Sequence, residues 1–474
     1  MKQKQGLQFT IALLSFLFIA AFLYQINGKS IFGYQLKFVS TDDFKKVTPP
    51  VKKPIEHIIS EGPDKSIEYP LKSPDELEKY VDSLIAVDNA AMIEADFKES
   101  PYLINAPING IYPLDAFFEN LSNLKESHNL LRVAHYGDSQ TEGDRITSIL
   151  RNLFQSKFGG NGVGYVPMSD ITDVVTYVRN ADAVWNRYTV FGTKLSGLAY
   201  GPGGSAYRYA PSTTAKVNLN LRGPYQKVNI LYGFGNDDSY LEVYSANKAL
   251  LGKQVLNNQS LFNKTPIELS SNEKYLEFVF KGNSPCIYGL TFDSVAGIQF
   301  DNYGLRAQAG EGLLTIPENQ FIKMFEETQT KMAILQFGAR VVSNLRNEER
   351  INFYGDLYKD IFLHFKKSMQ HGSVLVVSVT DVARKVGGGY KSYSNISELR
   401  YLQRKFAVEN GLAFFDIYQL TGGENSTSAW SEKGLAYVDG HYKDKGRSIV
   451  GKELYKALIF EYNKFLKRKT RVNE

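Results

Sequence analysis

Cysteine is almost missing from this chain. Cys286 is the only one in 474 residues, which excludes an intrachain disulfide and a thiolate metal site. A buried, inert thiol fits it better than a nucleophile. Histidine is scarce as well. The six (His57, His128, His135, His364, His371, His441) include no close pair at ligand spacing, so neither a zinc site nor any cofactor is expected. A basic stripe is lacking too. The net charge of +5 is scattered or terminal, as at Lys464, Lys467, Arg468, Lys469 and Arg471, which excludes nucleic acid from the expected partners. No internal repeat is present.

What the chain has in quantity is aromatic: 30 Tyr and 30 Phe. Two readings stand, a β-rich core or rings that stack on sugar faces, and composition does not choose. The apolar share of 43% and charged share of 22% are those of a folded protein long enough for two domains. At the N-terminus, Phe9 to Ile26 is an almost wholly apolar run behind Lys2 and Lys4. As a helix it rises about 27 Å, near the hydrocarbon thickness. Basic residues ahead of it predict that this end stays in the cytoplasm. A cleaved signal is the rival, but no small-x-small site follows the run. The expectation is a single-pass anchor at 9–26, a cytoplasmic tail at 1–8, and everything beyond it extracytoplasmic, in the periplasm.

Residues 27–72 read as a linker, "VTPPVKKP" (Val47 to Pro54) lacking periodicity. Ser73, Pro74 and Glu76 make a capping box that opens the first helix. Leu114, Phe117, Phe118, Leu121 and Leu124 follow at helical spacing. Leu130 to Tyr136 reads as a buried strand, and Ile146, Leu150, Leu153, Phe154 and Phe158 as the helix after it. "GGNGVG" (Gly159 to Gly164) follows a helix rather than opening one, so it is a connection and not a phosphate loop. From 176 to 297 short runs such as "AKVNLNL" and "YLEFVF" alternate with turn residues, which predicts an antiparallel β-sandwich. Beyond 298, strands (Ala333 to Phe337, Ser373 to Val379, Ala413 to Tyr418) alternate with helices (Glu348 to Met369, Ile396 to Phe406, and one bearing Val450, Leu454, Ala457, Leu458 and Phe465). The predicted class is α/β: a mostly parallel sheet flanked by helices, built from 73–175 and 298–468, with the sandwich inserted and a transmembrane helix in front.

Parallel sheets present reactive groups at the carboxyl ends of their strands. Ser139, in "RVAHYGDSQTEGDR", stands at one such end before an expected helix N-terminus, whose free N–H groups suit a developing negative charge. A serine hydroxyl needs a base. His441, with Asp439 to fix its tautomer, lies in "YVDGHYKDKG" ahead of the final helix. Taken alone, Ser139 reads as a helix cap and His441 as a packing histidine. His135 reads as a strand-end residue, and Glu142, Asp144 and Arg145 as a polar first turn, with Arg145 able to line the pocket.

With "GDS" on a strand end and D-x-H before the last helix, the sequence resembles the SGNH or GDSL hydrolases, and most closely their peptidoglycan O-acetylesterase branch, which carries a carbohydrate-binding-like sandwich inside the catalytic domain. The resemblance covers 73–175 and 298–468. It implies Ser139 as nucleophile, His441 as general base, Asp439 as its orienting acid and the Ser139 N–H as one oxyanion donor. Two positions depart from the pattern. "FDNYGLRAQAG" puts Ala307 where the family has a glycine N–H, with Gly304 a nearby rival, and "LQFGARVVSN" puts Arg340 where the family has an asparagine amide. Losing an oxyanion donor costs about 3–4 kcal/mol of barrier; Arg340 would supply a charged substitute, or Asn344 would reach in. The resemblance thus implies a serine esterase that deacetylates an extracytoplasmic polysaccharide such as peptidoglycan. Its partners would be the acetylated polysaccharide and the membrane. Transfer of an acetyl group from a membrane-bound partner by the same triad is the alternative, and a decayed glycan-binding protein the third reading.

Overall fold

In the computed structural model the described residues are 89–473 except 171, 193–196, 198 and 212, together with 30–31, 34–35, 79 and 82. Residues 1–65 cluster as one unit, of which Ser30–Ile31 and Tyr34–Gln35 are seen to pair antiparallel. The rest of the chain, 66–474, is the second unit. The expected anchor at 9–26 and the capping box at Ser73 to Glu76 lie outside the described residues.

A six-stranded sheet forms the frame of the second unit. Its strands are β1 (Leu103–Ile104), β2 (Leu130–Gly137), β3 (Gly297–Gly304), β4 (Thr330–Gln336), β5 (Ser373–Val377) and β6 (Ala413–Phe415), in the order β3-β2-β4-β5-β6-β1. All eight residues of β2 are buried, so its alternation cannot separate inside from outside; it separates two cores instead. Leu131 and Val133, with Met332 and Ile334 of β4, face α1 (Asp115–Ser122), α2 (Thr147–Phe158) and α6 (Asp444–Asn473). Ala134 and Tyr136, with Ala333 and Leu335, face α3 (Glu318–Thr328), α4 (Glu348–Ser368) and α5 (Ile396–Glu409). Within α2 the predicted face is the buried one. Leu150, Leu153 and Phe154 are at most 3% exposed, each worth about 2 kcal/mol of burial, and truncating Leu150 to Ala would cost about 2–5 kcal/mol.

The strands between Gly164 and Asp293 form two antiparallel sheets of six and five strands. Among the described residues no helix interrupts them, and without a helical crossover consecutive strands can pair only by folding back. Ile230, Tyr232 and Ile287 of one sheet meet Val217, Leu241, Val243 and Phe278 of the other. The outer face of the first sheet is not solvated. Leu231 and Tyr288 belong to the same core as α3 and α4.

Two expectations are corrected. The class is mixed rather than α/β. The frame sheet is itself mixed, β1 running antiparallel to β6, and more strands lie in the two antiparallel sheets than in it. The membrane placement is corrected as well: among the described residues no helix is long and apolar enough to cross a membrane. The longest, α4 and α6, alternate charge with apolar positions because one side of each must face water. No described element therefore supports a single-pass or periplasmic assignment. Smaller differences are local. The expected strand Ala413 to Tyr418 stops at Phe415, because the Asp416 carboxylate accepts the Gln419 N–H and caps a short helix, Ile417–Thr421. The "GGNGVG" connection lies directly on strand backbone: a Cβ at Gly162 would stand 2.1 Å from the Phe292 carbonyl oxygen.

Candidate active site

Ser139 stands two residues beyond the end of β2, at the carboxyl end of the sheet. The helix does not follow at once. Glu142–Asp144 form a 3-10 turn, Asp144 sits at φ +63°, and α2 begins only at Thr147. The N–H groups of Thr141 and Glu142 are taken by the Asp138 carbonyl, so a helix N-terminus does not face the serine. The Ser139 N–H itself has no partner among the described residues.

His441 reaches the serine from the opposite end of the chain. The turn Tyr437–His441 is closed by hydrogen bonds from Tyr437 N–H to the His441 carbonyl and from Gly440 N–H to the Tyr437 carbonyl. Tyr442 anchors it below, its hydroxyl 2.6 Å from Thr380 Oγ1. The helix α6 starts directly behind, and Gly446 in its first turn lies against the Leu435 carbonyl, where a Cβ would come within 2.1 Å. Ser139 Oγ is 2.6 Å from His441 Nε2, and His441 Nδ1 is 3.1 Å from Asp439 Oδ2. The other Asp439 oxygen accepts the His441 backbone N–H at 3.1 Å. Burial opposes ionisation of Asp439, but these hydrogen bonds and the imidazole outweigh it and hold the carboxyl below its ordinary range. Ser–His–Asp is thus one hydrogen-bonded chain, with the tautomer that leaves Nε2 free to accept the hydroxyl proton.

Three residues not singled out as site candidates hold this chain in place. The Gln140 side chain donates from Nε2 to the Gly440 carbonyl at 2.7 Å and accepts the Tyr442 N–H at 3.3 Å, gripping both neighbours of His441. Asp138, 2% exposed, accepts the Gln140 N–H at 3.0 Å and faces the N–H groups of Gly338 and Ala339. Burial pushes its carboxyl up to about 6, against the pull of those N–H groups and of His441. Glu142, expected in a polar first turn, is 3% exposed; it accepts hydrogen bonds from Thr172 and from Arg306 Nε (3.0 and 3.2 Å). That pair ties the Arg306–Ala307 segment to the serine turn. The sequence held one signal for these roles: Gln140 and Glu142 flank the serine on a tight turn, where polar groups must satisfy backbone.

A cleft of about 670 Å³ opens over the serine, lined among others by Ser139, His441, Ala307, Arg340, Tyr393 and Tyr437. Ala307 adopts φ +58°, the left-handed conformation a glycine would take there, and its N–H has no partner among the described residues. Gly304 is placed elsewhere. It ends β3, its N–H is engaged by Asn302 Oδ1, and a Cβ would meet the Glu142 backbone at 2.6 Å. Arg340 is exposed on the cleft wall, and Arg145 lines it too. Asn344 does not reach in; its amide donates to Tyr354 Oη at 3.2 Å. His135 is fully buried, held between Thr147 and Gln336, and burial pushes it down to about 4, so it stays neutral and structural. Among the described residues no cluster of His, Cys, Asp and Glu could hold a metal.

No family model matches the chain, and no curated protein does. A solved peptidoglycan O-acetylesterase is similar over 77% of this chain and 99% of its own, with a TM-score of 0.63 and 17% identity. An acetyl xylan esterase covers 34% of this chain and 81% of its own (TM-score 0.27, 13% identity). An acetylxylan esterase from Geobacillus stearothermophilus covers 35% and 75% (TM-score 0.27, 14% identity). The chain therefore shares the fold of the first, over nearly that protein's whole length, as the SGNH-type resemblance of its motifs implied.

Proposed function

We propose that this protein is a serine carbohydrate esterase that removes acetyl groups from a polysaccharide, peptidoglycan being the candidate suggested by the similar structure. The observation that carries the reading is the 2.6 Å contact between Ser139 Oγ and His441 Nε2, backed by Asp439 on the other ring nitrogen. In the first step the imidazole takes the serine proton as Oγ bonds to the ester carbonyl carbon. The carbonyl oxygen becomes an oxyanion, which the Ser139 and Ala307 N–H groups and the Arg340 guanidinium are available to hold. Protonated His441 returns its proton to the sugar oxygen as the C–O bond breaks, leaving acetyl-Ser139 and a free sugar hydroxyl. Water, deprotonated by the same imidazole, then releases acetate and restores the serine. Asp439 stabilises the imidazolium in both halves without taking its proton.

An acetyl group offers little to bind, so affinity has to come from the sugars, and the cleft with Tyr393 and Tyr437 on its walls has room for them. The test is acetate release from O-acetylated peptidoglycan by the full chain and by Ser139→Ala. The expected result is release by the former, loss in the latter, and fluorophosphonate labelling that disappears with Ser139. Labelling with new acetyl esters on an acceptor glycan and little free acetate would mean transfer instead. Equal release by the two proteins would overturn the serine mechanism.

A further inference from the structure

The chain leaves the cleft wall at Val382 and returns to it at Tyr393. Between them it forms a β-hairpin, Ala383–Val386 paired with Gly389–Ser392. The base is tied to the cleft: Tyr393 N–H donates to the Val382 carbonyl at 3.0 Å, and Val382 lies against Gly440 of the histidine turn. Beyond the base one hydrogen bond holds it, the Tyr390 carbonyl accepting the Ser428 hydroxyl at 3.3 Å. Residues 384–391 are all exposed, and Gly387, Gly388 and Gly389 have open space where a Cβ would be.

Its charge is one-sided. Arg384, Lys385 and Lys391 are the ionisable cations of the hairpin, and it carries no acidic residue. Arg384 and Lys391 are direct cross-strand partners. Like charges so opposed destabilise a strand pair, and among the described residues none of the three has a salt-bridge partner. Asp381, the carboxylate nearest to them in sequence, is 1% exposed and already taken by the Ser392 hydroxyl and the Thr427 N–H. The guanidinium of Arg384 lies 5.2 Å from the centre of the Tyr393 ring, which itself lines the cleft. Arg340, which also lines the cleft, is exposed. A pair of repelling cations held on a hairpin at the rim of a catalytic cleft is relieved when an anion covers it.

We propose that this hairpin is a binding site for an acidic glycan. Arg384, Lys385 and Lys391 take the carboxylates of units beyond the one at Ser139, and the Tyr393 ring carries the sugar between. As a substrate assignment this rests on the esterase reading; as a binding site it stands on the hairpin alone. Three exposed ion pairs amount together to roughly tenfold in affinity, and they weaken with salt as the Debye length falls to about 3 Å near 1 M.

The experiment is calorimetric binding to the full chain carrying Ser139→Ala, so that no ester is consumed. Polygalacturonate oligomers present the carboxylate on the sugar, muropeptides present it on a peptide stem, and xylo-oligosaccharides present none. The triple substitution Arg384→Gln, Lys385→Gln, Lys391→Gln is expected to weaken an acidic ligand about tenfold and to leave the neutral one unchanged. The charge-retaining set Arg384→Lys, Lys385→Arg, Lys391→Arg is expected to keep the acidic affinity. Loss for one acidic ligand alone would assign the carboxylate source. Equal binding of both acidic ligands by parent and triple variant, or parent binding indifferent to 1 M salt, would overturn the site. With Ser139 intact, the triple variant should turn over p-nitrophenyl acetate at the parental rate. A parent inactive on every ester would sink the esterase reading while leaving the binding result to decide this one.

Discussion

At the scale of single residues, the site depends on how firmly a few side chains hold His441. The Gln140 amide makes two hydrogen bonds, each worth about 1 kcal/mol, but its effect on rate is positional. Gln140→Ala frees Gly440 and Tyr442 on either side of the imidazole, and a displacement of about 1 Å costs roughly 10² in rate. The expected outcome is that fall in kcat with KM nearly constant, read on an aryl acetate. Asp439→Asn leaves the serine–histidine contact but favours the wrong tautomer, and should lower kcat by about 10⁴. Asp138 makes a prediction about stability. Because its buried carboxyl is raised from 3.8 to about 6, the neutral form stabilises the fold below pH 4, and that contribution is lost as pH rises through 6. At 1.36 kcal/mol per unit the swing is about 3 kcal/mol. The stability difference between the parent and Asp138→Asn, from urea unfolding at pH 4 and pH 7, should shift by about 2 kcal/mol of that in favour of Asn at the higher pH, the unfolded carboxyl being already part-ionised at pH 4. Part of this was legible. The serine, histidine and aspartate stood out by residue type and order, whereas Gln140 and Asp138 did not, because their roles consist of contacts with backbone from distant loops.

At the scale of elements, Arg132 shows what a strand's pattern conceals. It lies in the middle of β2 with no exposure, donating to Asp301 of β3 at 2.6 Å, to Asp293 at 2.8 Å and to the Thr328 carbonyl at 3.1 Å. The apolar run around it signals a buried strand, yet a lone arginine in that run reads as an edge. Only the pairing of β2 with β3, and the sandwich strand ending at Asp293, supply its two carboxylates. Arg132→Ala would leave both carboxylates buried and unpaired, at a cost of about 3–5 kcal/mol, measured as a lowered urea midpoint with an unchanged m-value. The helix expected directly after the serine was displaced for a comparable reason. Its apolar spacing begins at Ile146, whereas the residues before it are claimed by ion pairs, Asp144 with the buried Arg151 and Glu142 with the half-exposed Arg306.

At the scale of the whole molecule, the sandwich and the frame sheet are joined by packing rather than by a tether. One antiparallel sheet gives one face to its partner sheet and the other to the core shared with α3 and α4. Neither part can unfold without exposing the other, so the second unit should melt in one transition. The two tryptophans make this measurable: Trp185 belongs to the sandwich core and Trp430 to the core beneath α6. Denaturation curves of Trp185→Phe and Trp430→Phe, each reporting the remaining tryptophan, should share a midpoint when corrected for the stability cost of each substitution. Separate midpoints beyond that correction would show two independent domains.

What the sequence alone determined is the set of local elements and the reactive residue types, since hydrophobic spacing and turn chemistry act within a few residues. The face of α2, the buried sides of α6 and the strand ending before Ser139 all follow from that. The tertiary structure alone decided the rest: which sheet each strand joins and in which direction, that Ala307 rather than Gly304 enters the cleft, that Asn344 is spent on Tyr354, and that three cations at the rim have no salt-bridge partner among the described residues. Those outcomes depend on contacts between residues as much as 300 positions apart, as Gln140 and Gly440 are, and no periodicity in a linear chain encodes which distant group will arrive.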